Sequence, residues 1–313
     1  MRGGFLLVDK PAGMTSHDVV AYLRKISGVR RIGHAGTLDK PAKGLLLVAI
    51  GRATRLLRFL AETDKSYRAT VVFGVSTDTD DASGAVLSSA PCELSRQQVE
   101  EALAGFRGKA SQRPPAFSAV QVGGERLYRR ARRGESVAAP EREIVISRLE
   151  LLDYHGLTHP QAIIEVDCSK GTYIRSLARD LGERLGCGAH LGDLVRQRIG
   201  RFTLESAKPL EELAALASGG ELGRAMLPPE AAVKGWPAHH LAKEEAQSVR
   251  RGAALPALLQ GRDIPRGIFA LMGPEGELLA VAENPADQTR DAPPAPGTAG
   301  PRYLLVYSSH GND

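Results

Sequence analysis

Short apolar runs alternate with stretches of helical spacing along the first two hundred residues, but never as a regular strand–helix–strand repeat. That irregularity disfavours a parallel, doubly wound sheet. It predicts an α+β fold with a mixed, mostly antiparallel central sheet flanked by helices. Residues 5–8 and 45–50 read as buried strands, 67–73 alternates as a strand, and two more strands are expected near 144–154 and 162–168. Helices are expected from Ser16, taken as a cap for Val19, Val20, Leu23 and Ile26, over 53–61, from Ser95 through Ala104, and from about 172 to 185, where Gly186 and Gly188 close it. Loops are expected at 33–44, which holds three glycines and Pro41, and at the turn carrying Asp78, Asp80, Asp81, Ser83 and Gly84.

Residues 110–142 break the pattern. Pro114-Pro115, Gly123-Gly124 and a run of arginines give no sustained period, which predicts an excursion that faces a partner. Between 209 and 237 the composition shifts to Ala, Gly, Glu and Pro, and from about His239 short strands at 268–272, 278–282 and 303–307 form a small β-rich unit. The expected division is 1–236 and 237–313. Within the second unit, the Pro/Ala-rich stretch 287–301 is expected to be a disordered loop.

The chain of 313 residues is 42% apolar, enough for a sizeable core, and its longest clean apolar run, 45–50, is far too short for a membrane helix. Residues 1–10 carry no cleavage-site pattern, and the three cysteines, Cys92, Cys168 and Cys187, contain no C-x-x-C spacing. A chain without a leader, in a reducing cytoplasm, is expected. Net charge is only +5, yet basic residues bunch at 24–31, 126–133 and 196–201. Arginine dominates these bunches, and its planar fork suits phosphate, so a polyanionic partner is expected.

Three blocks carry candidate chemistry. Gly33-His34-Ala35-Gly36-Thr37-Leu38-Asp39 holds a carboxylate in a glycine-rich loop before a buried strand. Cys168 to Leu177 (CSKGTYIRSL) places Arg175 in the first turn of a helix, where the macrodipole disfavours a cation and a carboxylate partner is implied. Lys65-Ser66-Tyr67-Arg68 sets an aromatic at the start of a strand. Each alone has a plainer explanation: Asp39 as a turn cap, Arg175 as a surface residue, Tyr67 as core.

Together with Leu7-Val8-Asp9-Lys10-Pro11-Ala12-Gly13 and Leu185-Gly186-Cys187-Gly188-Ala189-His190-Leu191, these blocks resemble, in order and spacing, the TruB family of bacterial tRNA pseudouridine synthases. The resemblance spans about the first 200 residues. The terminal segment is similar, by pattern more than motif, to the PUA-type RNA-binding domain of those enzymes. The resemblance implies that Asp39 is the nucleophile and that Arg175 pairs with it. It implies that Tyr67 stacks on the target base, that Tyr173 is an active-site residue, and that Leu194 lines the pocket. It further implies that His34 contacts the region of the displaced nucleotide, that Lys10 supports the site from the first strand, and that 110–142 grips RNA.

The implied reaction turns a uridine of the tRNA T-arm, position 55, into pseudouridine. It breaks C1′–N1 and makes C1′–C5, so no redox cofactor, nucleotide or metal is required. Asp39 attacks C6 or C1′, Arg175 offers bidentate charge, and stacking on Tyr67 contributes about 1–3 kcal/mol. The uridine must flip out of the arm to reach the pocket. A monomer with tRNA as its partner and no membrane is expected. Two alternatives stay open: a guide-RNA-dependent synthase, and a non-catalytic RNA-binding or chaperone protein. A zinc site from Cys168, Cys187 and His190 lacks a second close ligand pair, and no G-x-x-x-x-G-K-[ST] loop occurs.

Overall fold

The computed structural model describes residues 3–118, 120–133, 135, 139–285 and 300–307. The expected disordered loop at 287–301 lies, except for its last two residues, outside them. The chain divides into two compact units, Leu6–Ala49 with Leu57–Ala225, and the described residues of Met1–Phe5, Ile50–Leu56 and Met226–Asp313.

In chain order the first elements are β1 (Gly4–Lys10), α1 (Ser16–Ser27), β2 (Ile32–Ala35), β3 (Lys43–Ile50), α2 (Leu57–Ala61), β4 (Lys65–Phe73), the β5–β6 ribbon (Val75–Thr77, Val86–Ser89), α3 (Arg96–Ala104) and β7 (Gly108–Gln112). There follow β8 (Gln121–Val122), β9 (Glu125–Arg126), α4 (Leu127–Arg132), β10 (Arg142–His155), β11 (Gln161–Cys168), α5 (Ile174–Arg184), β12 (Ala189–Ile199), β13 (Phe202–Thr203), β14 (Lys208–Pro209) and α6 (Leu210–Ser218). The main sheet runs β14-β1-β3-β12-β4-β11-β10-β7. Its β12-β4-β11-β10-β7 half is antiparallel throughout, while β12 lies parallel to β3 and β1 to β14. The sheet is therefore mixed and mostly antiparallel, as expected.

The period-2 rule explains β11, whose Ala162, Ile164, Val166 and Cys168 point into the core while the residues between them stay half-buried. Helix α5 lays Ile174, Leu177, Ala178 and Leu181 on the same core. Strand β12 has no counterpart among the expected elements, although it sits between β3 and β4 at the centre of the sheet. Its Asp193, Arg196 and Arg198 interrupt the apolar alternation. Closing β3 onto β12 needs Gly44: at φ +98°, its missing Cβ would lie 2.4 Å from the Arg196 carbonyl oxygen.

Two expectations are corrected here. Helix α1 is capped by Thr15, not Ser16: the Thr15 hydroxyl accepts from Asp18 N, and Asp18 answers on Thr15 N, a reciprocal capping box. The excursion is also shorter than 110–142. Residues through Gln112 form β7, which pairs with β10 from Arg142 to Ile146, and the stretch between carries its own hairpin, β8–β9, followed by α4.

In the second unit, β15 (Ala238–His240) lies parallel to β16 (Gly267–Met272), which continues antiparallel through β17 (Leu278–Asn284) to β18 (Arg302–Val306). Helices α7 (Lys243–Arg250) and α8 (Leu255–Leu258) lie between β15 and β16 in the chain. Leu241, Val249, Leu255, Phe269, Leu271 and Leu279 form this unit's own core.

Candidate active site

Asp39 emerges from the loop between β2 and β3 onto a cleft of about 350 Å³. The cleft is lined also by Pro41, Ala42, Asp81, Ser83, Arg175, Leu191, Asp193 and Leu194. The aspartate side chain is 46% exposed and its Oδ2 forms an ion pair with Arg175 Nε, 3.0 Å away. Oδ1 carries no hydrogen bond from the described residues. The carboxylate is thus open to the cleft on one side and fixed on the other.

The backbone on both sides of Asp39 is clamped. The Ser16 hydroxyl donates to Leu38 O (3.1 Å) and accepts from Leu38 N (2.9 Å), both in buried surroundings. Lys40 O accepts from Gly13 N at 2.9 Å, and Asp39 O accepts from Ala42 N at 3.2 Å. Lys10, fully buried, aims its ammonium at Pro11 O (2.8 Å), Met14 O (2.6 Å) and, more distantly, Lys40 O (3.5 Å). Burial and then the Arg196 charge push the Lys10 ammonium down to about 8, against the opposing pull of Asp39. Lys10 therefore supports the loop through carbonyls.

Arg175 is 7% exposed in the first turn of α5. Its contact with Asp39 is an ion pair through Nε, and the bidentate hydrogen bonding expected from its fork does not form. Nη1 donates instead to Thr79 O and Nη2 to Phe117 O, each at 3.0 Å. The second carboxylate near it is Asp81, with Oδ2 3.8 Å from Nε. Asp81 is itself locked: its Oδ1 accepts from Thr79 Oγ1 (2.8 Å), Ser83 N (2.9 Å) and Ser83 Oγ (2.5 Å). The turn docks on β12 through Leu191 N to Asp80 O (3.0 Å) and Ala82 N to Leu191 O (2.9 Å). One buried guanidinium thus ties together the Asp39 loop, the acidic turn and the 113–118 segment. Asp81 and Ser16 were legible only as turn and cap residues. The one sequence signal for Asp81 was the density of acids at 78–81.

The remaining expected residues divide. Leu194 lines the cleft. Tyr67 does not: it belongs to the core cluster with Leu38, Ala42 and Leu191. Its hydroxyl is hydrogen-bonded with Arg196, and burial raises its pKa. Tyr173 is the N-cap of α5, with its backbone held by Gln112 at 2.8 and 3.0 Å. His34 stands edge-on to His17, ring centroids 5.5 Å apart. Burial, then His17 and Arg196, lower its pKa to about 4, so it is neutral at pH 7.

The arginine clusters are not uniformly outward. Arg196, from the 196–201 cluster, is 1% exposed and donates to Leu45 O (2.8 Å) and Gly36 O (2.9 Å). Arg198 pairs with Asp167. In the 126–133 cluster Arg130 and Arg133 pair with Glu125 and Glu135, whereas Arg24, Lys25, Arg30 and Arg31 are exposed. Among the described residues, no group of three or more His, Cys, Asp or Glu side chains is placed to hold a metal ion.

Residues 24–174 match the family model described as TruB family pseudouridylate synthase (N terminal domain), and residues 175–234 match tRNA pseudouridylate synthase B C-terminal domain. The tRNA pseudouridine synthase B of Gloeobacter violaceus is 50% identical over 262 residues, covering 82% of this chain and 88% of its own. That of Mycobacterium sp. (strain KMS) is 45% identical over 291 residues, covering 92% and 94%.

This chain belongs to the TruB family of pseudouridylate synthases.

The synthase is also similar in structure to a chain of a Cbf5-Nop10-Gar1 complex (TM-score 0.74, 27% identity, 98% of this chain and 85% of that one). A chain of an H/ACA RNP bound to a substrate RNA containing 2′-deoxyuridine gives TM-score 0.72 at 25% identity, over 99% and 86%. Asp39, Arg175 and Leu194 come together in the synthase's cleft. Lys10 reaches Lys40 O in the same loop, while Tyr67, Tyr173 and His34 are not among the residues lining the cleft.

Proposed function

We propose that this synthase isomerises the uridine at position 55, in the T-arm of tRNA, with Asp39 as nucleophile. The observation that carries the reading is the Asp39–Arg175 pair at the cleft, with Oδ2 held and Oδ1 unengaged. A carboxylate recessed among Arg175, Asp81, Leu191 and Leu194 is reached by a flipped nucleotide rather than by a base stacked in a stem.

Arg175 Nε pairs with the carboxylate and orients it, so that Oδ1 meets the flipped nucleoside and forms the covalent intermediate at C1′ or C6. C1′–N1 breaks, the base turns within the cleft, C1′ joins C5, the C5 proton passes to solvent while N1 takes one up, and the bond to Asp39 breaks to return the carboxylate. Leu191 and Leu194 form an apolar wall that keeps water from the intermediate. For Tyr67 to stack on the base, the cover over its ring must part as RNA enters, because the ring is 7% exposed. His34, being neutral, meets RNA through hydrogen bonding or stacking rather than as a cation.

The unit at 237–313 is assigned as a PUA-like RNA-binding module on a catalytic domain of 1–236. The protein is assigned as a cytoplasmic monomer, which its three free cysteines suit. The guide-dependent alternative is disfavoured by 45–50% identity to relatives named tRNA pseudouridine synthase B. Incubating the purified protein with an isolated T-arm stem–loop, no other RNA present, tests the reading. Pseudouridine in the nucleoside digest supports it. RNA binding without product would leave the non-catalytic or guide-dependent alternative standing.

A further inference from the structure

Arg142 opens β10 and pairs across the sheet with Gln112 of β7. The two grip Tyr173 from different sides. Gln112 holds its backbone, accepting from N and donating to O, at 2.8 and 3.0 Å. The Arg142 guanidinium carbon lies 5.4 Å from the centroid of its ring. That distance is within the range of a cation–π contact, and stacking fixes the plane of the guanidinium.

Among the described residues no acid neutralises this cation: Arg142 makes no ion pair, and its Nε is buried without a hydrogen-bond partner. The neighbouring Glu141 is engaged elsewhere, by Ser111 Oγ at 2.7 Å and Arg113 Nη2 at 3.4 Å. Position 171 is glycine at φ +79°, and a Cβ there would lie 3.4 Å from Arg142 Nη1. The absence of a side chain leaves that edge of the fork open. A half-buried, stacked guanidinium with unused donors is poorly solvated and poorly paired. Its natural complement is a planar pair of anionic oxygens.

We propose that Arg142 anchors a backbone phosphate of the substrate RNA beside the nucleotide that enters the cleft. The placement follows from the chain: the ring it stacks on belongs to Tyr173, two residues before Arg175, which lines the cleft. The inference rests on the RNA substrate of the reading above. It adds a positional anchor that the bunches of arginine did not reveal, because Arg142 stands outside all three.

The test compares Arg142→Gln and Arg142→Lys with unaltered Arg142. Equilibrium binding of an unmodified elongator tRNA transcript is measured in an Asp39→Asn background across a salt series. Turnover is measured with Asp39 intact. Loss of one phosphate contact predicts that Arg142→Gln weakens binding ~10-fold. The plot of log affinity against log salt becomes shallower by about 0.7–0.9, with kcat at saturating RNA kept within about twofold. Arg142→Lys, which keeps the charge, retains the wild-type slope. An unchanged slope in Arg142→Gln would overturn the proposal. So would a fall in kcat with no change of slope, which would make Arg142 a prop for Tyr173. Absence of turnover by the unaltered protein would strike the assigned reaction instead, and the binding slopes would still decide the role of Arg142.

Discussion

Replacing Ser16 by alanine removes one oxygen atom and should damage both the fold and the reaction. The hydroxyl is the partner of Leu38 N and Leu38 O at 2.9 and 3.1 Å, where Ser16 is fully buried and Leu38 is 3% exposed. Both backbone groups are stranded when it goes. At ~1–3 kcal/mol for each buried group left unpaired, the loss is about 2–6 kcal/mol. For a unit of this size that lowers Tm by roughly 5–15 °C. The kinetic consequence comes from position: Leu38 precedes Asp39, and a displacement of about 1 Å at a nucleophile lowers turnover ~100-fold. The assay is tritium release from tRNA labelled at uridine C5, run at 25 °C with saturating RNA, beside a thermal melt. The predicted result is a kcat lower by ~10- to 100-fold, with KM within about threefold, because phosphate contacts are untouched. Thr15→Ala is the control. It removes the α1 cap, costs about 1 kcal/mol, and leaves kcat unchanged. A Ser16→Ala protein with wild-type kcat would refute the idea that this hydroxyl holds the nucleophile's backbone.

Arg175→Gln removes the charge beside Asp39 and two bonds to carbonyls; discounting the Coulomb energy for a half-exposed carboxylate leaves about 3–4 kcal/mol, so kcat should fall ~10²- to 10³-fold in the same tritium assay. His34 has a pKa near 4 when folded, against 6.5 for an ordinary histidine, so between those pH values the unfolded chain binds more protons and stability rises with pH. His34→Gln should flatten that part of the Tm-versus-pH curve, by up to about 3 kcal/mol, and an unchanged slope would mean His34 is not buried as described. Gly44→Ala sets a Cβ 2.4 Å from the Arg196 carbonyl at φ +98°; loss of soluble protein or a Tm lower by more than ~5 °C is expected, and a wild-type melt would contradict the close approach of β3 and β12.

Much of the architecture was legible because local signals were strong and unopposed. Ser95 and Gln98 form the capping box of α3, β11 alternates without interruption, and the loop before β3 delivers Asp39 where a glycine-rich turn before a buried strand would. The misses share a cause: a polar residue whose destination depends on tertiary contacts. Arg196 looks like one member of a basic surface run, yet it is sealed beneath the Asp39 loop, where it satisfies the carbonyls of Gly36 and Leu45. That burial hid β12, since a strand with an inward arginine does not read as a strand. Ser16 has the chemistry of a cap but sits one residue too late for it, and its hydroxyl turns to Leu38. Asp81 reads as a turn former, and it is one. That Oδ2 also lies near Arg175 follows only from the docking of the turn on β12. Arg142, isolated in sequence, has meaning only through Tyr173 and Gln112.

Asp39 is proposed as the nucleophile that converts one T-arm uridine. Carbodiimide primer-extension mapping of an unmodified elongator tRNA transcript, after incubation with wild-type or Asp39→Ala protein, tests it most directly. The predicted result is a single new stop at the T-arm uridine with the wild type, absent with Asp39→Ala although the variant still binds the transcript. A stop that persists with Asp39→Ala, or no stop with a wild-type protein that binds, would contradict it.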